Sequence, residues 1–152
     1  MENLPRDFKE FLSLLNEHQV EYLLVGGYAV ALHGYPRYTG DIDFWVRITE
    51  ENALKIVTVL KKFGFDLPEL SKEMFLDLNR MTRLGREPVK IEILNSISGL
   101  TYDEAIKGVK IFEIDGIQIP VIGLEELRKN KKASGRAKDL ADLENLPESP
   151  SL

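Results

Sequence analysis

Two aspartates one residue apart, Asp41 and Asp43 in Gly40-Asp41-Ile42-Asp43-Phe44-Trp45-Val46, follow a diglycine, Gly26-Gly27, that opens the segment Gly26-Gly27-Tyr28-Ala29-Val30-Ala31-Leu32. In an extended segment side chains alternate, so Asp41 and Asp43 share a face with Trp45 and Arg47, while Ile42, Phe44, Val46 and Ile48 point into a core. Adjacent carboxylates on a rigid strand repel each other, and a divalent cation is the natural relief. Mg2+, or Mn2+ in its place, takes oxygen donors, and Mg2+ commonly divides its coordination between one or two carboxylates and the phosphates of a substrate. The diglycine supplies the other half. Glu21 to Val25 reads as a short buried strand, and Gly26 and Gly27 end it where Tyr28 to Leu32 begin a helix, a turn whose backbone N–H groups favour phosphate oxygens. A nucleoside triphosphate would satisfy both halves. Arg37, with Thr39 two residues on, lies in the loop leading into the Asp41 strand, where a guanidinium suits bidentate contact with phosphate.

The order of diglycine, helix and Asp-x-Asp strand resembles the polymerase-β-like nucleotidyltransferase superfamily. The longer string GGYAVALHGYPRYTGDIDFWV is similar to its small bacterial and archaeal branch associated with abortive infection and toxin–antitoxin pairs. The resemblance implies an α/β fold of the α+β kind: a mixed sheet with helices packed on it in a single compact domain. It also implies a third acid on a neighbouring strand, which Glu92 in Val89-Lys90-Ile91-Glu92-Ile93-Leu94 would supply, since Val89, Ile91 and Ile93 form one face and Lys90, Glu92 and Leu94 the other. Asp41, Asp43 and Glu92 would then be catalytic and metal-ligating, and Gly26, Gly27, Arg37 and Thr39 nucleotide-binding. The implied reaction moves a nucleoside monophosphate from a triphosphate, ATP among the candidates, to an acceptor hydroxyl of RNA, protein or a small molecule, with release of pyrophosphate. The chain departs from the pattern in carrying Gly27 where the superfamily often has serine, glutamate where the third acid is more often aspartate, and no separate helical domain. A nucleotide-binding protein with weak turnover, or a regulator working through a toxin–antitoxin partner protein, is the alternative.

A basic stretch near the end, Arg128 to Lys138, carries six cations and no acid before Asp139, Asp142 and Glu144 follow. Cations on a helix are ordinarily a solvated face. The stretch also resembles the closing segment of these small nucleotidyltransferases, which makes Lys131, Arg136 and Lys138 candidates for approaching the triphosphate. The net charge of −5 argues against a general coat for nucleic acid, whose affinity would come from neutralising phosphates. Cysteine is absent, which removes disulfides, thiolate metal sites and a cysteine nucleophile, and two histidines, His18 and His33, assemble neither a zinc cluster nor a Ser-His-Asp triad. His33 reads as a packing or capping residue.

The positioning elements follow from periodicity. With 152 residues, 43% of them hydrophobic, the chain can bury one sizeable core, expected over residues 1–146, with 147–152 frayed. No run is long enough to span a membrane, and the first residues lack the basic-then-apolar order of a signal peptide, so a cytoplasmic location is expected. Phe8, Phe11, Leu12, Leu14 and Leu15 recur at helical spacing. Thr49 can cap a helix with Glu50 and Glu51 in its first turn, Leu54, Val57 and Leu60 on its apolar side and Gly64 at its end. A short helix over Lys72 to Leu78 precedes a strand over Arg80 to Leu84, which returns through Gly85-Arg86-Glu87-Pro88 to the Glu92 strand. Asp115-Gly116 joins Lys110–Ile114 to Ile117–Val121 as a hairpin, and helices over Leu124 to Lys132 and Gly135 to Leu146 close the chain.

Overall fold

A computed structural model describes residues 4–86 and 89–148. The expected return through Glu87-Pro88 and the expected fraying beyond Glu148 lie outside the described residues. The chain runs α1 (Arg6–Glu17), β1 (Tyr22–Val25), α2 (Gly26–Leu32), β2 (Asp41–Val46), α3 (Glu50–Phe63), a 3-10 turn (Lys72–Phe75), β3 (Met81–Arg86), β4 (Val89–Leu94), α4 (Tyr102–Ile106), β5 (Lys110–Ile114), β6 (Ile117–Val121), α5 (Leu124–Ser134) and α6 (Ala137–Asn145). The strands form one mixed sheet in the order β3-β4-β2-β1-β6-β5. β2 runs parallel to β4 and β1 parallel to β6, while β1–β2 and the two edge pairs β3–β4 and β5–β6 are antiparallel. A parallel pair needs a long crossover, which α3 and β3 provide between β2 and β4. The result is the single-domain α+β architecture that the resemblance implied.

One face of the sheet holds the apolar half of each alternating strand. Ile42 and Phe44 of β2 and Ile91 and Ile93 of β4 are buried there, and Phe8, Phe11, Leu12 and Leu15 of α1 are buried with them. The Phe11 ring lies 5.5 Å from Phe44 and 5.2 Å from Phe63 of α3. Thr49 Oγ1 accepts a hydrogen bond from the Asn52 backbone N–H at 3.1 Å, which satisfies one of the donors orphaned at the start of α3, and Gly64 closes that helix at φ +113°. Two expectations are corrected. Leu54 is 52% exposed because it lies off the stripe of Ala53, Ile56 and Leu60 that turns inward. The expected helix over Lys72 to Leu78 is a single 3-10 turn ending at Phe75, and the Asp77 carboxylate instead accepts from the Asn79 N–H, a local turn bond that competes with helix continuation.

On the opposite face Trp45 is not an open neighbour of the acids. It is buried against Tyr102 of α4, ring centroids 5.2 Å apart, and the Arg47 guanidinium caps the Tyr102 ring at 4.6 Å. The face is therefore sealed at the Trp45 end and open at the Asp41 end.

The C-terminal helices are fastened by buried charge rather than by apolar packing alone. Lys131 of α5 sits between Asp139 at 3.1 Å and Asp142 at 3.2 Å of α6, all three side chains almost fully buried. Arg37 reaches Asp142 through two parallel bonds of 2.8 and 2.9 Å, and Ser134 and Arg136 both donate to Asp139 Oδ2. Burial alone would raise the Asp139 carboxyl, but the bonds from Arg136, Ser134 and Lys131 outweigh it and hold the group well below the usual carboxylate range. This network ties the loop before β2 to the α5–α6 hairpin. Asp139→Asn is expected to lower the unfolding free energy, measured by urea denaturation, by about 3–5 kcal/mol because it strands part of a buried cationic charge, and the loss should shrink when Lys131→Met is added.

Candidate functional site

The register of β2 builds the site. Its parallel pairing with β4 sets Asp43 beside Glu92, and side chains of paired residues project to the same face. Its antiparallel pairing with β1 sets Val25, the last residue of that strand, beside Asp43, so the chain turns into Gly26 against the Asp43 carboxylate. A Cβ at Gly26 would fall 2.0 Å from Asp43 Oδ2, and the residue adopts φ +71°; both conditions select glycine. A Cβ at Gly27 would come within 3.0 Å of the Thr39 side chain. The diglycine does not precede the helix as expected but forms its first turn, since α2 begins at Gly26. With seven residues α2 has a small dipole, and the main contribution of the glycines is bare backbone beside an acid.

A cleft of about 560 Å³ opens here, and Gly26, Gly27, Arg37, Thr39, Asp41, Asp43, Glu92, Lys131, Arg136 and Lys138 all line it. The structure thus brings together every residue the sequence marked as a candidate, although not all are equally available. Thr39 Oγ1 is bonded to the Asp41 backbone, donating to its carbonyl at 3.1 Å. Arg37 and Lys131 are committed to Asp142 and Asp139, whereas Arg136 and Lys138 are largely exposed. Sequence reasoning missed Arg83 of β3, which lines the cleft, donates Nε to Glu92 Oε1 at 2.9 Å and brings Nη2 to 2.9 Å from the same oxygen as an ion pair. The signal was present: in a hairpin with β4 the alternation that puts Glu92 on the open face puts Arg83 opposite it. The carboxylates of Asp139 and Asp142 as anchors for the basic stretch were also missed. His33 lies outside this cleft and bonds through Nε2 to the Ile122 carbonyl at 2.6 Å.

The lining carries five cations, Arg37, Arg83, Lys131, Arg136 and Lys138, against four acids, Asp41, Asp43, Glu92 and Asp139. Burial first, then the hydrogen bond and charge of Glu92 and the charge of Asp41, push the Asp43 carboxyl up to about 8, with Lys138 pulling the other way. Asp43 Oδ1 is buried and receives no hydrogen bond from a described residue. A divalent cation fits this site: its donors are hard oxygens, one of them undonated, and the like charges of Glu92 and Asp41 bear on Asp43. Among the described residues no three His, Cys, Asp or Glu side chains form a ready-made cage.

The raised Asp43 value carries a stability consequence in the metal-free protein. Between pH 4 and 8 the folded state keeps a proton that the unfolded chain has released, so stability is fullest below the ordinary carboxylate value and is lost as pH rises towards 8, at no more than about 1.4 kcal/mol per pH unit. Asp43→Asn should flatten that slope and exceed the wild type in stability at pH 9, as read by denaturation in EDTA.

Comparison with other proteins agrees with this fold. Among curated proteins none matches the sequence significantly. Among solved structures, the chain is similar to the candidate nucleotidyltransferase TM1012 from Thermotoga maritima, at 23% identity and a TM-score of 0.60 over 91% of this chain and 89% of that one. It is also similar to the lincosamide antibiotic adenylyltransferase LnuA bound to lincomycin, at 17% identity and a TM-score of 0.59 over 95% and 97% of the two chains. An antigenic nucleotidyltransferase-like protein from Paracoccidioides brasiliensis follows, at 16% identity and a TM-score of 0.54 over 91% of this chain and 73% of that one. At these identities the likeness is one of fold. Residues 5–149 match the profile of a family described as a nucleotidyl transferase of unknown function (DUF2204), and the chain, with its paired acids beside a diglycine turn, belongs to that nucleotidyl transferase family.

Proposed function

We propose that the protein is a metal-dependent nucleotidyltransferase that moves a nucleoside monophosphate from a nucleoside triphosphate to an acceptor hydroxyl and releases pyrophosphate. The observation that carries this reading is Asp43: a carboxyl wedged against a glycine that admits no side chain, flanked by Asp41 and Glu92, with one oxygen undonated. Asp41 and Asp43, joined by Glu92, would hold Mg2+ or Mn2+. When bound, the metal would neutralise charge on the transferring phosphoryl group and lower the pKa of the attacking hydroxyl.

The chain's own residues do the rest. Gly26 and Gly27 leave the backbone bare, so the triphosphate can lie against it. Lys138, exposed on the cleft wall, and Arg136, exposed there although its Nε is anchored to Asp139, are the cations placed to approach its oxygens, while Arg37 and Lys131 hold that wall in place through Asp142 and Asp139. Glu92 Oε2, the oxygen that Arg83 does not hold, would accept the proton of the acceptor hydroxyl. Positioning and charge stabilisation supply most of the acceleration in phosphoryl transfer. The similarity to LnuA supports an acceptor hydroxyl on a small molecule, and the net charge of −5 disfavours RNA. Among the described residues no helix is long and apolar enough to cross a membrane.

The direct test is incubation with each α-labelled triphosphate, Mg2+ or Mn2+, and RNA, lysate protein or a small-molecule extract; transferred label supports the enzyme, and Mg2+-dependent binding without transfer assigns a nucleotide-binding role instead. Asp41→Asn with Asp43→Asn should abolish Mg2+-dependent triphosphate binding in calorimetry while leaving the metal-free protein as stable or more so; unchanged affinity would sink the metal assignment. Lys138→Gln should weaken triphosphate binding about tenfold with an unchanged melting temperature, since an exposed cation contributes little to folding.

A further inference from the structure

We propose that Arg83 is a built-in counter-ion of the acidic cleft, a guanidinium that occupies Glu92 where the divalent cation would, and that the cation displaces on binding. The inference rests on the metal-site reading above. Arg83 Nε, which donates, and Nη2, an ion-pair contact, both lie 2.9 Å from a single oxygen, Glu92 Oε1, instead of spreading over the two carboxylate oxygens as a fork-to-fork pair does. Arg83 therefore engages Glu92 through one oxygen only. The two partners also differ in freedom. The Glu92 side chain is 14% exposed and walled in beside Asp43, whereas the Arg83 side chain is 52% exposed on β3, an edge strand of the sheet, with solvent to withdraw into.

A half-exposed ion pair contributes little to the stability of a fold, so support of the hairpin does not by itself account for this arrangement. The charge balance does. Asp41, Asp43 and Glu92 share one face, and Arg83 and Lys138 are the cations of the lining that are not tied to Asp139 or Asp142 in the α5–α6 network. A guanidinium and a divalent cation seek the same lone pairs of Glu92, so each lowers the affinity of the site for the other. Glu92 bound to Arg83 also agrees with the described acids standing near one another without forming a three-ligand cage.

A competing cation and a positioning residue predict opposite signs. If Arg83 oriented Glu92 for the metal, its removal would weaken metal binding, as loss of an outer-shell partner commonly does. If it competes, its removal tightens binding. The probe is Mn2+ alone, without nucleotide, followed by loss of the paramagnetic resonance signal of the free ion, with the melting temperature confirming that each variant is folded. Arg83→Gln should bind Mn2+ about three- to tenfold more tightly than the wild type, and Arg83→Lys, which keeps the charge but loses the two-nitrogen contact, should show a smaller gain. The gain should vanish when Arg83→Gln is made in a Glu92→Gln background, because the competition acts through that carboxylate. Unchanged or weaker binding in Arg83→Gln, or a gain that survives Glu92→Gln, overturns the inference while leaving Mn2+ binding by the wild type to stand for the site. Absence of Mn2+ binding in every variant overturns the metal-site reading and the inference with it.

Discussion

Parallel pairing of β2 with β4 sets the carboxylates of Asp43 and Glu92 side by side, with Asp41 two residues away on the same face. That register is enforced by the opposite face, where Ile42, Phe44, Ile91 and Ile93 must all be buried together and a slip by one residue would turn each of them to the wrong side. Hydrophobic burial therefore holds like charges together that would otherwise separate. Most of what surrounds them can be read as relief of that repulsion. Arg83 binds Glu92 from the neighbouring strand, Lys138 lowers the cost of ionising Asp43, and in the absence of other cations Asp43 keeps its proton to about pH 8. Gly26 is the steric counterpart: the carboxylate sits where a side chain at that position would lie.

The second constraint is the buried charge beneath α5 and α6. Taking Lys131, Asp139 and Asp142 out of water is costly, and apolar residues of similar volume could have filled the space without that cost. What such residues could not supply is the bidentate grip on Arg37, which fixes the loop before β2 relative to the helices. A cleft proposed to hold a flexible triphosphate benefits from walls that do not move, and directional ion pairs between distant segments provide this. The basic stretch in an acidic protein thus divides by depth: its buried member, Lys131, is structural, and of its exposed members Arg136 and Lys138 line the cleft.

The solved structures that share this fold are 16–23% identical to the chain, so the sheet and its crossovers tolerate wide replacement of side chains. The diglycine is under a different constraint: a Cβ at Gly26 would run into the Asp43 carboxylate and one at Gly27 would press on Thr39.

Strand alternation in Asp41–Val46 and Val89–Leu94, the cap at Thr49, the hairpin at Asp115-Gly116 and the acids' shared face were legible in the sequence because each depends on residues within a turn or two of one another. The same locality explains the errors. Leu54 is apolar and at helical spacing, but which stripe of α3 turns inward depends on the surface it meets, and Trp45 is buried by Tyr102 of α4, with α3, the 3-10 turn, β3 and β4 intervening in the chain. Lys131 and Arg37 read as free cations, and what occupies them, Asp142 above all, lies 105 residues from Arg37 in the chain. Sequence by itself determined the alternation, the turns and the chemistry of the candidate residues, since backbone sterics and period act locally. Only the tertiary structure decided which cation each carboxylate receives, because charge pairing depends on distance in space, and strand order and helix docking set that distance.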